Sequence, residues 1–189
     1  MGQGGTVRKS FSVMLVVLGI AAVTTPGWSE DLLSIGGFVQ GGVSLTALQS
    51  KSVTLAAGAI GVSFGKRLLA GLAGDYLLSP VSVSSAGSEH RLGMWYGGLV
   101  VGYRLPLFTG LDLTPTALFG IGRFTNLSDS TAPDRIGVIE PEVDVSYSPA
   151  APVAFGLGAA YRLVLKSDYL TRSEAGGLCG VLFLKVGAF

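Results

Sequence analysis

The chain has 189 residues, a formal net charge of +1, 49% hydrophobic and only 13% charged positions, and 29 glycines. That length suits one domain, or one domain plus a targeting segment; the apolar excess excludes intrinsic disorder, and the missing Gly-X-Y period excludes collagen. Near-neutral charge leaves no electrostatic footprint for nucleic acid, and the longest apolar run, Val13 to Val23, falls short of the ~18 residues of a spanning helix.

Residues 1–29 read as a signal peptide. Arg8 and Lys9 form a positive n-region, Phe11 to Val23 an apolar h-region, and Pro26 breaks any helix. Gly27 and Ser29 supply small residues at the spacing a signal peptidase reads, which places cleavage between Ser29 and Glu30. No cysteine lies near that site to carry a lipid anchor. Cys179 has no partner for an internal disulfide and reads as a small buried residue.

Residues 30–189 form the remaining domain. They show period-two alternation punctuated by turn signals, with no sustained 3.6-residue stripe. The predicted strands run Ile35 to Leu45, Val53 to Phe64, Leu68 to Leu78, Leu92 to Leu105, Leu111 to Thr125, Ile136 to Tyr147, Val153 to Lys166 and Leu178 to Phe189. Three are explicit. Leu111, Leu113, Ala117, Phe119 and Ile121 oppose Asp112, Thr114, Thr116, Gly120 and Gly122. Ile139, Pro141, Val143, Val145 and Tyr147 oppose Glu140, Glu142, Asp144 and Ser146, while Phe155, Leu157, Ala159, Tyr161 and Leu163 oppose Gly156, Gly158, Ala160 and Arg162. Strands place such alternating sets on opposite faces.

Each strand is long enough for the ~9–11 tilted residues that cross a bilayer. Short connections at Gly65-Lys66-Arg67, Pro106 to Gly110 and Ser148 to Pro152 alternate with longer ones at Ser79 to Arg91, Asn126 to Asp134 and Ser167 to Gly176. Only Gln49 to Ser52 is a short member of the second set. Short periplasmic turns, long outer loops and an even strand count are the pattern of bacterial outer-membrane barrels. Closure follows from hydrogen bonding, because an unpaired backbone group in hydrocarbon costs several kcal/mol. The expected fold is therefore all-β: an eight-stranded antiparallel up-and-down transmembrane β-barrel. Its apolar face, with Trp95, Tyr103, Tyr147 and Tyr161, points outward, and small or polar residues fill a narrow lumen.

Gly36-Gly37-Phe38, Tyr96-Gly97-Gly98 with Gly102-Tyr103, Glu140-Pro141 and Gly156-Leu157-Gly158-Ala159-Ala160-Tyr161-Arg162 occur in that order. Together they resemble an uncharacterised family of small bacterial outer-membrane β-barrel proteins, over most of residues 30–189. The resemblance implies fold and location and carries no activity. At the C-terminus the chain departs from the usual barrel ending. Phe183 and Phe189 share a phase whose other positions include Lys185 and Gly187, whereas Leu182, Leu184 and Val186 read as outward. A bulge near Gly187 would reconcile the two phases.

The candidate chemistry is the inward column Glu140, Glu142 and Asp144, joined by Asp75. Like charges stacked in a narrow lumen repel unless cations oppose them, and Arg162 and Lys185 are the expected partners. This set reads as a salt-bridged plug, with a cation or proton path as the rival; a glycosidase-like acid pair lacks a cleft in a packed lumen. His90 follows Ser88 and Glu89 in the longest loop, which admits a lipid- or envelope-modifying enzyme as a further alternative, although a triad is defined in space rather than by adjacency. One histidine and one cysteine make no zinc site. The glycine-rich spacings lead into no strand-to-helix unit, so nucleotide binding is dismissed.

The sequence thus points to a non-enzymatic outer-membrane barrel without cofactor, a monomer whose lumen is plugged and whose loops face outward. Its expected partners are outer-membrane lipids, the barrel assembly machinery and periplasmic chaperones, with no nucleic acid. A soluble lipocalin-like carrier would need the inverse pattern, a polar outside and an apolar lumen.

Overall fold

The computed structural model describes residues 34–49, 51–85, 88–127, 134–150, 152–165, 167 and 175–187. The expected signal peptide, Phe189 and much of the longer loops lie outside them. The strands are β1 (Ile35–Leu48), β2 (Lys51–Phe64), β3 (Leu68–Leu77), β4 (Val81–Ser85), β5 (Ser88–Tyr103), β6 (Leu105–Phe108), β7 (Leu111–Asn126), β8 (Asp134–Ala150), β9 (Val153–Val164) and β10 (Gly177–Gly187).

These segments form one closed antiparallel barrel of eight strands. β3 and β4 both pair with β5, and β5 and β6 both pair with β7, so each couple is a single interrupted strand. β1 closes the ring on β10, with Val43 opposite Leu182 and Phe38 opposite Gly187. Among the described residues no helix is long and apolar enough to cross a membrane.

Alternation divides the residues as expected. Val39, Ile60, Leu72, Leu99, Phe119, Leu157 and Leu182 project outward and are exposed, while Phe38, Leu55, Tyr96, Leu118, Glu140, Arg162 and Lys185 are buried in the lumen. The C-terminal strand keeps Leu182, Leu184 and Val186 outward. Gly187 pairs with Phe38 in unbroken register, so among the described residues, which end at Gly187, the strand carries no bulge against β1.

The turns explain the closure. Gly65 and Lys66 have φ of 57° and 56°, and the Arg67 amide donates to the Phe64 carbonyl at 3.2 Å. Two consecutive left-handed residues match the twist of the flanking strands and make the tightest hairpin link.

Three connections are shorter than the sequence suggests. β6 and β8 take up most of Pro106 to Gly110 and Ser148 to Pro152 as strand, and the Ser148 amide donates to the Gly110 carbonyl at 2.7 Å. Ser79 to Arg91 is not wholly a loop either: β4 and the start of β5 extend the hairpin, with Val83 opposite His90. Backbone pairing there continues past the point where the apolar alternation stops.

One interruption falls inside the wall. The β8–β9 ladder runs through Ile139–Leu163, omits Glu140 and Pro141, and resumes in the same register at Glu142–Ala160. Proline has no N–H to donate, so the ladder lapses where Pro141 stands.

The lumen has two halves. Toward the loop end Leu48, Leu55, Leu77, Leu92, Met94, Phe124, Ile136, Val138 and Val164 form an apolar cluster. This differs from the expected small-residue lining. Small residues instead line one wall lower down, where Ala57, Ala59, Gly61, Gly71 and Ala73 on β2 and β3 leave room for long side chains from β8, β9 and β10.

Candidate functional site

Beneath the apolar cluster, β5, β8 and β9 bring three polar side chains together. Arg162 is 1% exposed, and its Nε donates to Glu140 Oε2 at 2.8 Å. The Tyr96 hydroxyl donates to the same oxygen at 2.8 Å and accepts from Arg162 Nε at 3.0 Å and Nη2 at 2.5 Å. The guanidinium also stands 4.7 Å from the Tyr96 ring centroid. A buried ion pair is worth keeping only when hydrogen bonds satisfy its remaining groups, and Tyr96 supplies them for Glu140 Oε2 and for Arg162 Nη2. Arg162 Nη1 has no hydrogen-bond partner.

Glu140 and Arg162 hold opposite places in the β8–β9 register, beside the lapse at Pro141. Side-chain pairing therefore spans the strands where the backbone pairing is missing. Asp75 on β3 stands directly across from Tyr96 and completes a group drawn from four strands.

The other two carboxylates behave differently from the expected salt bridges. Glu142 Oε1 and Asp144 Oδ1 converge over Gly158 on β9: a Cβ built there would collide with Asp144 Oδ1 and stand 2.9 Å from Glu142 Oε1. Neither oxygen has a hydrogen-bond partner. Arg162 forms its ion pair with Glu140 alone among the described acids. Lys185 on β10 lies 5.5 Å from the ring centroids of both Phe38 and Phe183 and lines the same cavity as Glu142 and Asp144.

A cavity of about 70 Å³ separates this charged wall from the small-residue wall. Glu140, Glu142, Asp144 and Lys185 line it opposite Ala57, Ala59 and Ala73, and Asp75 enters it from the small-residue wall itself, as the cross-strand partner of Ala57. All six residues singled out in the sequence thus belong to one lumenal constellation. It comprises an Arg162–Glu140 unit with Asp75 nearby and a Glu142–Asp144–Lys185 unit.

Two contributors escape sequence reading. Tyr96 had a signal, since an outward Trp95 puts its neighbour inward, but nothing marked its hydroxyl as the link between Arg162 and Glu140. Arg104 and Asp112 form a second ion pair at 2.6 Å near the β6–β7 turn. Asp112 was legible as inward; its partner across the strand break was not.

His90 does not stand in a loop with Ser88 and Glu89. It lies on β5, with its ring Nδ1 3.0 Å from the Asn126 side-chain amide on β7. Cys179 is fully buried, its Sγ 3.7 Å from the Gly177 carbonyl. Among the described residues no group of His, Cys, Asp and Glu is arranged to hold a metal.

No protein-family model matches the chain, and no curated protein matches its sequence. Solved structures do match its fold. Neisserial surface protein A is similar with a TM-score of 0.58 at 12% identity, over 82% of this chain and 96% of that one. Ail, the attachment invasion locus protein of Yersinia pestis, crystallised with the heparin analogue sucrose octasulfate, is similar with a TM-score of 0.56 at 8% identity, over 82% and 100%. The N-terminal β-barrel domain of Pseudomonas aeruginosa OprF gives 0.54 at 14%, over 82% and 97%. The fold implied by the sequence resemblance is the small closed barrel that these proteins share.

Proposed function

We propose that the protein resides in a bacterial outer membrane as a plugged barrel with a structural or surface-interaction role, catalysing no reaction. The observation that carries this reading is the pairing of an apolar outer face with a filled, charged lumen. Val39, Ile60, Leu72, Leu99, Ile121, Leu157 and Leu182 are all more than half exposed. Each such side chain gains roughly 1.5–3 kcal/mol on leaving water, so hydrocarbon is the solvent that fits this face. Outward aromatics occur toward both ends: Tyr147, Phe155 and Phe108 near the short turns, Trp95 and Tyr76 toward the loops. Such girdles mark the two membrane interfaces of a barrel.

The plug has an apolar layer toward the loops and the Tyr96–Glu140–Arg162 unit beneath it. Between these layers and the small-residue wall lies the small cavity lined by Asp75 and Lys185. Display outside the cell is the remaining role, and two structural neighbours are by name a surface protein and an attachment invasion protein. The rival is a narrow cation- or proton-selective path along the carboxylates.

Planar-bilayer recording separates the readings. A plugged barrel gives no resolved unitary conductance, and Glu142→Gln changes nothing. Cation-selective steps that Glu142→Gln reduces would replace the plug with a pore.

A further inference from the structure

The outward face carries one electrostatic anomaly. Arg123 on β7 and Arg135 on β8 are directly opposed across the β7–β8 register, both exposed, both at the loop end of the wall. Like charges directly opposite one another destabilise a sheet. Among the described residues neither arginine forms an ion pair with a carboxylate. Arg123 is held in place by Trp95, its own cross-strand neighbour on β5, at 5.2 Å from the ring centroid.

Immediately on the turn side of this pair lies an apolar groove of about 430 Å³. Leu72, Leu99, Phe119, Ile121, Ile139 and Leu165 form its sides, with Gly97 exposing backbone along its floor. Ile121 precedes Arg123 by one same-face position and is flanked across the strands by Gly97 and Gly137. The missing side chain at Gly97 beside the projecting Ile121 opens the groove, whereas Leu165 covers Gly137; Arg123 and Arg135 stand one same-face position further toward the loops.

We infer that this face is a binding site for a phosphate-bearing anionic lipid, its headgroup held between Arg123 and Arg135 and an acyl chain laid in the groove below. The inference rests on the membrane location proposed above. Arginine forks match phosphate oxygens bidentately, and one shared phosphate turns the like-charge opposition into a clamp. The stack on Trp95 fixes one fork in advance. A zwitterionic lipid satisfies the groove equally well but brings its own cation to the arginines, so the charge pair selects for a net negative headgroup.

Trp95 is the natural reporter, because Trp28 is the only other tryptophan. The full chain carrying Trp28→Phe is reconstituted in vesicles of phosphatidylcholine with phosphatidylglycerol, brominated on the acyl chains of one lipid at a time. Quenching of Trp95 then reads which lipid stands beside it. The site predicts stronger quenching by brominated phosphatidylglycerol, by about fivefold in relative binding constant. Arg123→Gln with Arg135→Gln removes that preference while quenching by brominated phosphatidylcholine remains; either single change gives the same readout if the double variant fails to fold. Equal quenching by the two lipids in the Trp28→Phe protein overturns the lipid site and leaves the membrane barrel standing. Quenching by neither lipid overturns both.

Discussion

Tyr96 on β5 and Arg162 on β9 meet across the lumen, the phenol oxygen accepting two guanidinium hydrogen bonds while donating its own to Glu140. The hydroxyl is thus the hinge of an ion pair buried on both sides. Tyr96→Phe should lower the unfolding free energy of the refolded barrel by about 1–3 kcal/mol, the cost of leaving buried polar groups unpaired. Urea titration of the compact band in detergent measures it. An unchanged midpoint would show that water replaces the hydroxyl at no cost.

Breaking the ion pair from one side should cost more than losing both partners. Arg162→Met leaves the Glu140 charge buried and should destabilise by about 3–5 kcal/mol. Arg162→Met together with Glu140→Gln should recover much of that loss. Strict additivity of the two single changes would mean that the side chains are not coupled.

Gly158 is the one place where an added methyl group would enter the carboxyl pair. Gly158→Ala should destabilise by roughly 1–3 kcal/mol through overpacking, and Asp144→Ser in the same chain should relieve it. A Gly158→Ala barrel as stable as the original would remove the convergence of Glu142 and Asp144 from the account.

Lys66 occupies a left-handed conformation that costs an ordinary L-residue about 1–2 kcal/mol, offset in part by the lower chain entropy of a non-glycine residue. Lys66→Gly should therefore stabilise the barrel slightly, by about 0.5 kcal/mol, read as a raised urea midpoint. A lowered midpoint would point to a contact of the lysine side chain that outweighs backbone relief.

His90→Ala tests the enzymatic alternative. Loss of the contact with Asn126 should cost about 0.5–1.5 kcal/mol and leave the lipid and polysaccharide composition of the envelope unchanged by mass spectrometry. A specific envelope product that disappears in His90→Ala cells, with the barrel still folded, would make the protein an enzyme.

Much of this architecture was legible in the sequence because a strand's side-chain period is fixed. Once Ile139, Val143 and Tyr147 face one way, Glu140, Glu142 and Asp144 must face the other. The lumenal pairings were less legible, since they depend on how side chains from opposite walls meet inside a closed ring. Arg162 stands on the strand next to β8 and meets Glu140 there, but Tyr96 comes from across the barrel. Lys185 settles over Phe38 and Phe183, whose inward rings offer a cation a face that alternation does not reveal. The apolar cluster was missed because Leu48, Val81, Leu92 and Ile136 stand at or beyond predicted strand ends. His90 was misplaced for the same reason, in a polar stretch that backbone pairing carries on as strand.

A closed barrel in the outer membrane is tested by fractionating cells that express the full chain and comparing the gel mobility of the detergent extract before and after boiling. The protein should be recovered in the outer-membrane fraction and run as a compact band that shifts on heating. A freely soluble periplasmic product with no heat shift would contradict an outer-membrane barrel.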